Sequence, residues 1–339
     1  MTAANALKVV GAIGAVVSLL LGLNQLTGVV QHFRIHRKEF SEAMASGVQE
    51  QRRGDNAAAF RSFKHAAELD AIDRDAQTSE AQAAMLWLET VHEQQNQTFT
   101  DVANQVLPVL DAALVKAKGS EAGDLLAHIA WANYLKYRDG LREGIEVDQN
   151  LKAALTADPN NVYAHAMSGF WILFQGDDMK SAESHFSSAL ATGRVRPYVR
   201  DLQVSALTNG DNAEKDAAAL RVANDMRKSG ETLDASLRRR IFWNNFSSQL
   251  HSKDRLASSL SVLSPQDTEA TYDWLDDRSA DDVKKWSRAF VIANLSEVQG
   301  RRAEALAQYK ALQAQVRNTD SSLSPAVDAA VARLSRSPQ

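Results

Sequence analysis

Residues 9–30 read VVGAIGAVVSLLLGLNQLTGVV, 22 consecutive positions without a charge, in which only Asn24 and Gln25 are strongly polar. A backbone in lipid has no water to bond, so a run this apolar is restricted to a helix there. About 20 residues rising about 1.5 Å each cross a typical hydrocarbon core. A cleaved signal peptide would need a small-x-small site soon after Leu23. The pattern appears only at Ala43-Met44-Ala45, beyond Arg34, Arg37 and Lys38. The expectation is therefore a retained transmembrane helix over 9–30, after a short tail at 1–8 and before a basic juxtamembrane segment at 31–39. Lipid contacts residues 9–30.

The flanks set direction. Lys8 and the terminal amine stand on one side, and Arg34, Arg37 and Lys38 on the other. Counting Lys and Arg places the large domain in the cytoplasm of a single-pass protein of bacterial inner-membrane type, with the periplasm as the alternative. Gly14, Ser18 and Gly22 recur every fourth residue and form a stripe of small side chains. Such a stripe lets two membrane helices pack closely, which would give a homodimer; glycine is also simply frequent in membrane helices. His32 and His36 share the spacing of a metal pair, but without a third ligand nearby they read as interfacial polar residues.

Beyond the apolar run the chain reads as helix, turn, helix. There are 16 Gly and 6 Pro in 339 residues, below the usual shares of about 7% and 5%, and strand-like alternation is scarce. Residues 1–40 carry a net charge of +3 and the remainder −7. That is the wrong sign for a nucleic-acid binder, so no nucleic-acid partner is expected. With no cysteine, disulfides and thiolate chemistry are excluded.

Four stretches align at a period of about 34 residues. Residues 40–73 hold Gly47, a Gly54-Asp55 turn, then Ala59, Phe63 and Ala66. Residues 128–161 hold Trp131, then Ala154-Leu155, and close on Asp158-Pro159-Asn160. Residues 162–196 hold Gly169, a Gly176-Asp177 turn, then Ala182, Phe186 and Ala189. Residues 286–319 hold Ala293, a turn at Gly300, then Ala305, Tyr309 and Leu312. Further helices are predicted over 78–96 (Ala81, Ala84, Met85, Leu88) and over 100–118, where Pro108 predicts a kink or break. Leu233, Leu237 and Ile241 mark another over 232–250, and Leu256, Leu260 and Leu263 suggest one more. A last helix is expected from Ser324-Pro325, closing the array over 320–339 with Val327, Val331 and Leu334 on one face.

These four stretches resemble the tetratricopeptide-repeat family, whose units place a small residue on a first helix and Ala, an aromatic and Ala on a second. Only Pro159 supplies the family's closing proline, and Leu312 stands where a small residue is usual. The resemblance implies an all-α protein, in which a solenoid of antiparallel helix pairs over 40–319 follows the membrane helix. It also implies a concave groove that docks a protein or peptide partner, with Gln51, Lys136, Trp171 and Asn294 as groove-facing candidates. The subtype that clamps a terminal carboxylate is not expected, because Met44 and Val48 occupy the corresponding positions.

Chemistry-bearing motifs are scarce. No phosphate loop, HExxH or GxSxG sequence occurs, so no enzyme, cofactor or metal is expected. Asp276-Asp277 with Asp281-Asp282 reads as a solvated turn. Arg238-Arg239-Arg240 reads as solvated surface, and Trp243-Asn244-Asn245-Phe246 as core. The three Asn-x-Ser/Thr triplets at Asn96, Asn245 and Asn294 fall in predicted helices and read as coincidence. The leading functional expectation is a membrane scaffold; the alternatives are a structural subunit of a membrane assembly and an enzyme with an unrecognised site.

Overall fold

The structure, a computed structural model, describes residues 35–91, 98–142, 145–176, 178–210, 212–247, 262–276, 282–317 and 323–336. The expected membrane helix with Gly14, Ser18 and Gly22, His32 of the basic segment, and Leu256 and Leu260 of the further suggested helix lie outside the described residues. Among the described residues every regular element is helical, and no helix is long and apolar enough to cross a membrane. The chain divides into two compact units between Pro159 and Asn160, two residues before the junction of the two abutting repeat-like stretches.

In the first unit α1 spans residues 35–52, so helix already covers Arg37 and Lys38 of the basic segment. It is followed by α2 (Asn56–Leu69), α3 (Arg74–Thr90), α4 (Phe99–Leu114), α5 (Ser120–Arg138) and α6 (Val147–Ala157). Each of α2 to α5 packs on the next, and α3 also meets α5. Helix starts are set by short polar side chains. Asp55 accepts from the N–H of Ala58 at 2.9 Å and Asp73 from that of Ala76 at 2.8 Å. Thr98 and Asp101 form a reciprocal capping box on α4. Gly54 turns the chain between α1 and α2 with φ 78°, a left-handed conformation open to glycine at little cost.

Gly47 on α1 lies beneath the ring of Phe63 on α2, close enough that a β-carbon there would sit 2.6 Å from Phe63 Cε1. The small residue removes the side chain that would hold the two helices apart. Phe63 and Phe60 are thereby buried, and Phe60 meets Trp87 of α3 at 5.4 Å between ring centroids. Each such buried ring contributes about 1.5–3 kcal/mol.

Pro108 does not break α4, which runs uninterrupted past it with Val102, Val106 and Leu110 buried. Burial of that apolar stripe outweighs the one hydrogen bond the ring removes. The helix expected over 78–96 starts earlier, at the Asp73 cap, and ends at Thr90.

The second unit contains α7 (Val162–Gln175), α8 (Met179–Ala191), α9 (Arg196–Leu207), α10 (Ala213–Lys228) and α11 (Ala235–Phe242), which runs into a π-helical turn at Trp243–Ser247. Then come α12 (Pro265–Leu275), α13 (Asp282–Val298), α14 (Arg302–Val316) and α15 (Ser324–Ser335). The Gly169–Phe186 contact between α7 and α8 repeats the Gly47–Phe63 arrangement, with a built β-carbon 2.8 Å from Phe186 Cε2. α10 is buried on several sides, including Lys215, whose Nζ donates to the Leu173 carbonyl at 2.9 Å.

The helix expected from Ser324-Pro325 forms as α15 and packs on α14, with Val327 and Leu334 buried and Val331 packed against the same cluster. Arg333 grips Glu297 of α13 at 2.7 Å, and the Tyr309 hydroxyl donates to Asn294 Oδ1 at 2.7 Å.

Two surface expectations need correction. Asp276 is buried at the end of α12, where its backbone N–H still donates to the Tyr272 carbonyl, so it is not a solvated turn residue. Trp243 is 64% exposed whereas Phe246 is buried against Tyr272. The wider π turn rotates the first aromatic outward while the second keeps the core.

Candidate binding cleft

The N-terminal halves of α3 and α5 stand beside each other, with the end of α4 between them. They enclose a cleft of about 490 Å³. From α3 come Arg74, Gln77, Thr78, Ala81, Gln82 and Met85, a face repeating every three or four residues. Ala113 and Lys116 close one side, and Ser120, Glu121, Asp124 and Leu125 of α5 form the other. Ala81 and Leu125 are buried at its base, Met85 is half-buried, and Thr78, Gln82 and Glu121 reach solvent. Arg74 and Lys116 supply positive charge on the α3–α4 side, facing the carboxylates of Glu121 and Asp124.

The walls are fixed by polar ties. His128 of α5 is fully buried, with Nδ1 2.7 Å from the Asp124 carbonyl and Nε2 3.1 Å from Glu89 Oε1 on α3. A carbonyl only accepts, so Nδ1 donates to it and fixes the ring against α3. Trp131 Nε1 donates to the Leu88 carbonyl at 3.2 Å. At the mouth Lys116 Nζ donates to Gln77 Oε1 at 3.0 Å, and Gln77 Nε2 donates to the Ala71 carbonyl at 2.6 Å. A cleft whose walls are pinned in this way is preformed, which lowers the ordering cost of binding.

None of the four groove candidates read from the sequence lines this cleft. Gln51 is half-buried at the end of α1, and Lys136 is half-buried in the last turn of α5. Trp171 is 8% exposed and stacks on Phe174 at 5.7 Å, placing it in the packed interior of the second unit. Asn294 is equally buried, donating to the Phe290 carbonyl at 3.0 Å while accepting from Tyr309. The α3 face lies outside the four clearest repeat-like stretches, from which the resemblance draws its groove candidates. Its one signal was a polar stripe of Gln77, Thr78 and Gln82 beside the Ala81–Ala84–Leu88 face.

Two other clefts are more open or smaller. One of about 540 Å³ lies between α1 and α2 and mixes Glu39, Glu42 and Glu50 with Arg61 and His65. Another of about 300 Å³ lies among α12, α13 and α14 beside Arg288, which pairs with Glu269 and Asp273. Elsewhere in the second unit, burial and then the neighbouring Asp234 carboxylate push Asp201 up to about 6. Burial raises Asp216 as well, against a hydrogen bond from Asn244 Nδ2 at 2.9 Å. Among the described residues no three His, Asp or Glu side chains gather as a metal-binding group. Compared with known proteins, the chain matches no family model, no curated protein and no solved structure.

Proposed function

We infer that this chain is a membrane-anchored scaffold of tetratricopeptide-like helix pairs that holds a segment of a protein partner in the α3–α5 cleft. The observation that carries the reading is the cleft itself. It has an apolar base at Ala81, Met85 and Leu125, a rim carrying both charge signs, and walls tied by His128 and Trp131. Its volume falls within the range that accommodates a small ligand or a few side chains of a peptide. The uncharged run at 9–30 supplies the anchor, and the basic flank at Arg34, Arg37 and Lys38 favours the cytoplasm for the domain. Small residues at Gly47 and Gly169 under Phe63 and Phe186 support the family resemblance, because close pairing is what those positions serve.

A photo-crosslinking side chain placed at Gln82 of the full chain in native membranes is expected to capture one discrete partner. The same group at Asp111, on the exposed face of α4, is expected not to. Met85→Glu should lower capture from Gln82 at least about tenfold, because a charge would be desolvated at the apolar base. Equal capture from Gln82 and Asp111 would overturn the cleft as the docking site. A stable stoichiometric oligomer that survives detergent sizing would instead favour the structural-subunit alternative.

A further inference from the structure

His165 on α7 and His185 on α8 are 20 residues apart in the chain, yet their Nδ1 atoms stand 3.0 Å from each other. The ring centroids are 5.2 Å apart and the planes are inclined at 51°. Both rings are half-buried. The backbones beneath them are held close by the Gly169–Phe186 contact, one turn further along α7 and next to His185 on α8. The pair therefore sits on a fixed frame. Where one ring donates its Nδ1–H to the other, the accepting Nδ1 supplies a lone pair between them.

Two nitrogens 3.0 Å apart, each about 2.0–2.1 Å from one cation, subtend about 94° at that cation. That is close to the cis angle of a tetragonal site and short of the roughly 109° of a tetrahedral one. The geometry points to a two-nitrogen clamp at His165 and His185 for a divalent late first-row cation, Cu(II) foremost. The ring that carries Nδ1–H moves its hydrogen to Nε2, both Nδ1 lone pairs turn to the cation, and no net proton is released. Water, or a side chain from a bound partner, completes the coordination, which makes the site open and exchangeable.

The test uses the untagged full chain on a His32→Asn, His36→Asn background, so that the other closely spaced pair contributes nothing. Cu(II) titration is expected to saturate at one equivalent with micromolar affinity. The electron paramagnetic resonance spectrum should carry the coupling of two imidazole nitrogens. His165→Asn or His185→Asn should weaken binding at least about tenfold and remove one nitrogen, with helicity unchanged by circular dichroism. Binding by the double variant that equals the parent's would overturn the site. So would a parent spectrum with fewer than two nitrogens, a result that stands even if the variants fail to fold.

Discussion

Asp201 shows how a single side chain makes this fold sensitive to pH. Burial and the Asp234 carboxylate raise it to about 6 in the folded protein, against the ordinary 3.8. The folded state therefore holds this proton more tightly than the unfolded chain does. Well below pH 3.8 both states are protonated and the site costs nothing. As pH rises from about 4 to about 6, the folded state must ionise a half-buried group, and stability falls. Asp201→Asn removes that penalty and is expected to stabilise the domain by about 1–2 kcal/mol at pH 7, after allowance for solvent screening of a half-buried group, and by much less at pH 4. Urea unfolding of the full chain at both pH values, followed by circular dichroism, measures the difference. An equal gain at both would show that the carboxylate's charge is not the cause. Nothing in the sequence around Asp201 signals this, because α9 brings it beside Asp234 only when the two helices pack.

At the scale of helices, the α7–α8 pair depends on an absent side chain. A β-carbon at Gly169 would meet Phe186 Cε2 at 2.8 Å and Cδ2 at 3.0 Å, and the ring is itself buried. Gly169→Ala should cost about 1–3 kcal/mol, the usual penalty for overfilling a packed core. Gly176→Ala serves as the control. Its backbone is extended and a built β-carbon finds nothing within 4 Å, so its effect should stay within about 0.5 kcal/mol. Equal losses at the two sites would mean that backbone freedom, not the ring contact, is what Gly169 provides. Element boundaries were less legible than these pairings. α4 ran through Pro108, and the residues expected to continue α11 widened into a π turn that exposes Trp243. Local propensity marks Pro108 as irregular and gives no such sign at Trp243. What each place becomes depends on the neighbours: Val102, Val106 and Leu110 keep α4 whole, and Phe246 against Tyr272 holds the π turn.

For the whole molecule, the proposal to test is attachment to a membrane through the uncharged run at residues 9–30. Removal of residues 1–30 is expected to move the chain from the carbonate-resistant membrane fraction to the supernatant, with the circular dichroism of its helical domain preserved. A truncated chain that still pellets after carbonate would show that attachment lies elsewhere. The sequence by itself determined the uncharged run, the helical class of the described residues and the glycine–aromatic pairing. Each is a local pattern whose energy is set by composition and spacing along one chain segment. Only the tertiary structure decided that α3 and α5 form the cleft, that Trp171 and Asn294 turn inward, and that His165 meets His185. The physical reason is that a helix presents side chains all around its axis. Which face becomes core, cleft or ligand is settled by the helices that pack against it, from positions 20 to 50 residues away in the chain.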